Sequence, residues 1–411
     1  MASASIGWRC GPIPERIGPT TRPSDPTGST ILIHHRRRAL LGTTALAAAA
    51  AAGALALTGA HAETGEPEPA PRPDLAIVEP SGPLATGTTA LHLVDEGRED
   101  QWVPDEDREL MVTMWYPTEE EGPTAPYMTA EESALFGAQL EVPPDLLASV
   151  GTNSVSGAEP LAGDPMPLVV LSPGFSFPRA TLTGVAEELA SRGYAVAAVG
   201  HNYEAPISFP DRTTECLACT TEDIDSVVPG RAEDLSFVLD VLTGEREAGA
   251  HEDFLDGLDL DAERVAVGGH SIGGASSHRV MLADDRFDAG FNLDGTFFAL
   301  DRHKLDRPFM MIGAAEHGLP GEDETWTKAW KHLDGWKRWI TVDGTTHSSM
   351  TDLAPLGAQA GIATQELDGL YCDRLSRAHL TAFVDEHLRG VEDPILDGPN
   401  GTWPETRFHN P

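Results

Sequence analysis

From Pro167 onward, short continuous apolar runs alternate with stretches whose apolar residues recur every three or four positions. The runs at Leu168–Leu171, Tyr194–Val199, Arg264–Val267, Ala289–Leu293, Pro308–Ile312 and Arg338–Val342 predict strands buried on both faces. The stretches between them predict helices. Ala180–Ser191 carries Leu182, Val185 and Leu189 on one face, and Ala232–Leu242 carries Leu235, Val238, Leu239 and Leu242. Ile272–Leu282, Thr325–Leu333 and a closing helix over Leu375–Leu388 follow the same rule. Strand and helix in alternation mean a mainly parallel sheet covered by helices on both faces. Two further strands are predicted upstream, near Ala90–Val94 and Glu109–Tyr116. Between them and the alternation, Ala125–Leu161 has only short apolar clusters, Ala134-Leu135-Phe136 and Leu146-Leu147. It reads as a cap or a substrate-facing insertion. There is no internal repeat.

The ends of the chain read differently. Arg36-Arg37-Arg38 precedes Leu40-Leu41, then an Ala/Leu/Gly run to Leu57, then Ala60-His61-Ala62. A basic start, a short apolar stretch and small residues at a cleavage point describe a secretory signal over 1–62. Its arginines ahead of Leu-Leu-Gly resemble a twin-arginine signal. Residues 63–85, rich in Pro and Glu, predict a linker to a single catalytic domain over 86–392. The Pro- and Gly-rich stretch 393–411 predicts an irregular tail.

Charge narrows the partners. The formal net charge is −37, and residues 1–62 hold six Arg against two acidic residues, so their removal takes it to −41. Such a surface repels nucleic acid and anionic membranes and keeps an exported protein soluble. Oligomeric state is open. Beyond the signal three cysteines remain, Cys216, Cys219 and Cys372. A lone C-x-x-C without ligand histidines nearby is a poor zinc site, and one bridge with one spare thiol is the simplest count. The pairing is left open, and no metal or cofactor is implied.

The chemistry is carried by Gly269-His270-Ser271-Ile272-Gly273, a G-x-S-x-G between a predicted strand and a predicted helix. In that setting the serine occupies a sharp, strained turn with its Oγ exposed at the head of a helix, and larger residues two positions either way would collide. A nucleophilic serine needs a base, and the base needs an orienting carboxylate, in the chain order Ser, acid, His. His347 lies directly after the last predicted strand, on the sheet edge where Ser271 opens. His278, His303, His317, His332, His379, His387 and His409 are less well placed, on helices, before the last strand or in the tail. For the acid, Asp294 closes the strand Ala289–Leu293, and Glu316 stands one strand later as the alternative. An oxyanion hole requires two backbone N–H groups. Ile272 supplies one, and Phe175, in the loop Ser172-Pro173-Gly174-Phe175-Ser176, supplies the other.

Ser172-Pro173-Gly174-Phe175, Gly269–Gly274, Leu293-Asp294-Gly295 and Gly344–His347 together resemble the secreted platelet-activating factor acetylhydrolase family of α/β-hydrolases and its bacterial lipase-like relatives. The resemblance spans about residues 108–390. It includes an acid 23 residues after the serine and an insertion before the oxyanion strand. It implies the α/β-hydrolase fold and calcium-independent hydrolysis of short or oxidised acyl esters of phospholipids, with at most transient contact with a lipid interface. Pro173 departs from it, because those relatives commonly carry His there. Ser-Pro-Gly-Phe is similar instead to bacterial cutinases and polyester hydrolases. That keeps a polyester hydrolase or general carboxylesterase as the alternative, and a non-catalytic binding protein on the same fold as a remote one.

The secreted protein is expected to begin near Glu63. N-terminal sequencing of material from the culture medium checks this, and mature protein that retains Arg36–Leu57 in the membrane would mean an anchor instead.

Overall fold

The computed structural model describes residues 74–411 except Glu222. The predicted signal and the first part of the predicted linker lie outside these residues. The chain opens on two long antiparallel strands, β1 (Ala85–Glu99) and β2 (Asp107–Thr118). A helix α1 (Ala130–Gln139) and a two-residue strand β3 (Val155–Ser156) follow. The alternation then runs β4 (Met166–Ser172), α2 (Thr183–Ala190), β5 (Ala195–His201) and a small hairpin of β6 (Ile207–Ser208) with β7 (Thr213–Thr214). It continues through α3 (Val227–Leu242), α4 (Glu252–Gly257), β8 (Leu260–His270), α5 (Ile272–Ala283), β9 (Ala289–Leu293) and β10 (Phe309–Ala314). The chain closes with α6 (Ala315–Gly318), α7 (Glu324–Trp330), β11 (Lys337–Val342), α8 (Leu353–Gln359), α9 (Gly369–Arg389) and β12 (Thr406–His409).

The ten-stranded sheet has the order β12-β11-β10-β9-β8-β4-β5-β2-β1-β3. Strands β11, β10, β9, β8, β4 and β5 are mutually parallel, and β2 turns antiparallel against β5. This is the α/β-hydrolase architecture. The chain progresses outward from β4 to β5, then returns to β8 on the other side of β4 and progresses the opposite way. The reversal between β4 and β8 is a topological switch point, where an open α/β sheet leaves a crevice at the carboxyl ends of its strands.

Alternating side chains of the central strands feed two cores. Leu168, Val170, Val265 and Val267 face Leu235, Val238 and Leu239 of α3 and Met281 of α5. Val169, Leu171, Val196 and Ala266 face Val185 and Leu189 of α2 and Leu380 and Phe383 of α9. Both faces are covered, so these strands read as unbroken apolar runs.

Two boundaries differ from the sequence reading. The linker ends sooner than residue 85. Leu75 and Ile77 are buried among Tyr127, Phe136 and Val150, and Ile77 and Gly151 exchange backbone bonds with the segments facing them. The Pro- and Glu-rich composition had masked two alternating apolar residues able to find a core. The tail is not irregular throughout, because β12 pairs antiparallel with β11 from Trp339↔His409 to Val342↔Thr406. That short strand covers the open edge of β11, and a pairing set by the distant edge leaves little periodic trace in four residues.

The insertion 125–161 holds α1, started by a capping box of Thr129 and Glu132. Its Phe136 is fully buried against Phe177 rather than turned to substrate. Cys216 and Cys219 form the disulfide, and Cys372 is a free, buried thiol on α9. Among the described residues no helix is long and apolar enough to cross a membrane.

Candidate active site

Strand β8 delivers Ser271 into a sharp turn at φ 56° and ψ −125°, a conformation L-residues rarely adopt. Strain of this kind costs on the order of 1–3 kcal/mol and persists only where the surroundings enforce it. Here they do so by close approach. A Cβ on Gly269 would sit 2.1 Å from the carbonyl oxygen of Ser172, and one on Gly273 would sit 2.0 Å from the same atom. The two glycines of the motif thus let the end of β4 press against the turn. Ser271 N–H donates to the Leu293 carbonyl at 2.8 Å, tying the turn to β9 as well.

His347 reaches the serine from the loop after β11. Its 3₁₀ turn, His347–Met350, is started by reciprocal hydrogen bonds between Thr346 and Ser349. The Ser271 hydroxyl donates to His347 Nε2 at 2.9 Å, and His347 Nδ1–H donates to Asp294 Oδ2 at 2.7 Å. One imidazole tautomer, protonated at Nδ1, satisfies both bonds.

Asp294 is fully buried, at a left-handed φ of 57° where β9 ends. Its Oδ1 accepts from Ala314 N–H at 2.8 Å, and its Oδ2 accepts a second imidazole N–H, from His317 Nδ1, at 2.9 Å. Burial pushes the carboxyl up, but the hydrogen bonds from His317 and His347 outweigh it and hold Asp294 below its usual range. Glu316, the alternative acid, is exposed, and both imidazole Nδ1 atoms bond to Asp294 instead. Asp294, His317 and His347 lie close enough to suggest a metal site. Their bonding does not suit one, because both Nδ1 atoms face the carboxylate as donors and His347 Nε2 faces the serine.

The loop after β4 runs beside the turn at Ser271. Ile272 opens α5, so its N–H has no earlier carbonyl of the helix to bond. In the loop after β4, Ser176 N–H donates to the Glu204 carbonyl and Phe177 N–H to that of Gly174. The N–H of Phe175, between them, makes no hydrogen bond among the described residues. His270, beside the serine, is buried and donates from Nε2 to the His347 carbonyl at 2.8 Å. Burial, aided by the nearby His347, drives its pKa down to about 3, so it stays neutral.

The description "Platelet-activating factor acetylhydrolase, isoform II" belongs to a family model that matches residues 244–389. That span encloses Ser271, Asp294 and His347. A probable 1-alkyl-2-acetylglycerophosphocholine esterase of Arthroderma benhamiae is 24% identical over 81% of this chain and 93% of its own. The platelet-activating factor acetylhydrolase of Cavia porcellus is 26% identical over 67% of this chain and 69% of its own. The solved structure of a ferulic acid esterase from Streptomyces cinnamoneus has a TM-score of 0.74 and 42% identity, covering 82% of this chain and 99% of that one. The chain belongs to the platelet-activating factor acetylhydrolase-like α/β-hydrolase esterases.

Of the residues the sequence singled out, Ser271, His347 and Asp294 are joined by hydrogen bonds, Phe175 packs against the apolar cluster that holds Ile272, and Glu316 stays exposed. His317 was passed over because it precedes the last strand. Its position three residues past the carboxyl end of β10 was the available signal, since that edge of a parallel sheet faces the crevice. Its ring stands 5.1 Å from that of His347.

Asp294→Asn is expected to leave the fold intact and to lower kcat by up to roughly 10⁴-fold, as a misdirected tautomer does in related triads. Glu316→Gln is expected to cost less than about tenfold, or about 1.4 kcal/mol of barrier. Both are to be measured on one soluble ester at one pH, and the reverse ranking would move the acid to Glu316.

The hydrogen bond to Asp294 raises the pKa of His317. A raised folded value means stability that is fully present below the unfolded value of about 6.5 and lost as pH rises through the folded one. His317→Gln is therefore expected to lower the melting temperature more at pH 5.5 than at pH 8.5. Equal losses at the two pH values would show that the imidazole does not titrate in this way.

Proposed function

We propose that this esterase works through an acyl-serine intermediate with Ser271 as nucleophile, His347 as base, Asp294 as its orienting carboxylate and the Phe175 and Ile272 N–H groups as the oxyanion hole. The observation that carries the reading is the unbroken chain Ser271 Oγ–His347 Nε2, His347 Nδ1–Asp294 Oδ2, built on a turn that only a close-packed strand end would enforce. Ser271 Oγ attacks the ester carbonyl carbon and its proton passes to His347 Nε2. Asp294 stabilises the imidazolium that forms. The carbonyl oxygen becomes an oxyanion between the two N–H groups, each worth roughly 2.7–4 kcal/mol in comparable enzymes. His347 then protonates the departing alkoxide oxygen. His347 next takes a proton from water as the water oxygen attacks the acyl carbon; the acyl–Oγ bond then breaks, and Ser271 Oγ regains its proton from His347 Nε2 as the acid leaves.

For the substrate we infer a lipid ester with a short acyl chain. The acetylhydrolase-named relatives support it. A half-buried apolar rim of Trp102, Phe175, Ile224 and Phe298, packed on Ile272, supplies a surface for brief contact with a lipid interface. A second reading, an ester of an aromatic acid, is favoured by the 42% identity to the ferulic acid esterase, and the same aromatic rim suits a planar acyl group. Export by the twin-arginine route is also proposed, supported by Arg36–Ala62 and by the Cys216–Cys219 disulfide.

Ser271→Ala is expected to reduce turnover by at least about 10³-fold with an unchanged melting temperature. A folded variant with near wild-type turnover removes the whole assignment. On a panel of p-nitrophenyl acetate, butyrate and octanoate, a 2-acetyl alkyl phosphocholine, methyl ferulate and an aromatic polyester film, kcat/KM is expected to be highest on acetyl and butyryl esters, the lipid included. Preference for methyl ferulate selects the second reading, and preference for octanoate or the film rejects both.

A further inference from the structure

Behind the loop Ser172–Ser176 lies a buried cluster of charges that takes no part in the chemistry described so far. Arg231 of α3 and Glu204, in the turn after β5, are 1% and 0% exposed. Arg231 Nε donates to Glu204 Oε2 at 2.6 Å, and its Nη1 donates to the carbonyl oxygen of Pro173 and to Ser172 Oγ. The other Glu204 oxygen accepts from Trp102 Nε1 at 3.1 Å and Gln101 Nε2 at 3.2 Å. The Glu204 backbone carbonyl accepts Ser176 N–H at 2.9 Å. One residue pair therefore grips both ends of the loop, at the Pro173 carbonyl and at the Ser176 amide, with Gly174 and Phe175 between the grips.

We propose that Arg231 and Glu204 are positioning residues for the oxyanion hole, holding the Phe175 N–H toward the reacting carbonyl. The inference rests on the reading of Phe175 as an oxyanion donor. Gly174 is the conformationally free link of the loop, so a single anchor would let the Phe175 peptide rotate its N–H away. Two anchors on one rigid unit remove that freedom. The planar guanidinium suits the task because its fork fixes the angle between the carboxylate and the carbonyl, which a lysine ammonium does not.

The rest of the cluster keeps the pair in register. Ser172 Oγ–H donates to His201 Nε2 at 2.9 Å, and His201 Nδ1–H donates to Asp234 Oδ2 at 2.7 Å. Asp234 is bound by two donors of Arg108, and Arg108 also reaches Asp100. Arg98 adds a second cation against Asp234. Asp100, Glu204 and Asp234 thus face Arg98, Arg108 and Arg231. Burial first, and then Arg231, push the pKa of His201 down. With the Arg231 donor on Ser172 Oγ and the Asp234 carboxylate at Nδ1, the imidazole proton on Nδ1 sets the direction of each hydrogen bond in the chain. Stability alone does not require this arrangement, since buried ion pairs can often be replaced by apolar side chains without loss. What apolar side chains would not supply is a donor to the Pro173 carbonyl.

The test uses purified Arg231→Lys and Glu204→Gln enzymes, with Ser271→Ala as control, and p-nitrophenyl acetate as substrate. A trifluoromethyl ketone, whose serine adduct carries an oxyanion, reports on the hole, and acetate, the product, reports on ground-state binding. In each variant kcat is expected to fall by about 10–100-fold, as for a donor displaced by about 1 Å. The Ki of the ketone is expected to rise by the same factor, while KM and the Ki of acetate stay within about twofold. Should Arg231→Lys melt below the assay temperature, Glu204→Gln, which keeps shape and an acceptor, carries the same prediction. A folded variant that keeps both kcat and ketone affinity overturns the inference. So does a rise in KM and acetate Ki with kcat intact. Activity retained by Ser271→Ala would instead overturn the triad, a result separate from these.

Discussion

The contact on which the site depends is that between the Ser172 carbonyl oxygen and the two glycines flanking the nucleophile. With Gly269 and Gly273 lacking a Cβ, the end of β4 lies against the turn at the end of β8. That approach brings two functions together. It enforces the strained backbone at Ser271, and it sets the loop that follows Ser172 beside the serine. A methyl group at either glycine would meet backbone rather than a movable side chain, so relief would require moving a strand. The proposed nucleophile, Ser271, and the loop proposed to supply an oxyanion N–H are therefore one packed unit at the point where the strand order reverses.

Electrostatics around that unit is divided between two buried groups of charge. In front, Asp294 gathers three N–H donors and stays ionised despite full burial. An ionised carboxylate is what an imidazolium forming at His347 needs nearby. Behind, Asp234 remains ionised too, because the pull of Arg108 outweighs the penalty of burial. Between the two stands neutral His270, bonded to the His347 carbonyl and packed on Phe177. Phe177 in turn carries Phe136 of α1. The insertion thus supports the site from the flank, and Gln139 of α1 reaches Ser176 of the oxyanion loop.

The residues readable in the sequence share one property: their signals are local. Alternating apolar runs and helical spacing mark the six parallel strands and the helices between them, because burial on two faces or on one stripe leaves a period in the chain. The Gly-x-Ser-x-Gly spacing marks Ser271, since the steric demand falls within two residues of it. His347 and Asp294 could be nominated because each lies just past a strand, Asp294 immediately after β9 and His347 in the loop after β11, whose end must open on the crevice. His317 was missed although it follows a strand as well. It precedes the last strand, two residues of α6 separate it from β10, and only the turn of that helix points its ring at Asp294.

The sequence by itself thus determined the strand–helix alternation, the serine and its flanking glycines, and a short set of partners at the carboxyl edge. The tertiary structure decided what depends on distance between elements remote in the chain. Asp294 rather than Glu316 meets His347, because β9 lies next to β8 and the residue that follows it turns inward. Residues 406–409 become a strand only because β11 presents an open edge, and Arg231 meets Pro173 only because α3 packs behind β4. None of these contacts leaves a period or a spacing in the chain, since each is set by the order of strands in the sheet and by the reach of a single side chain.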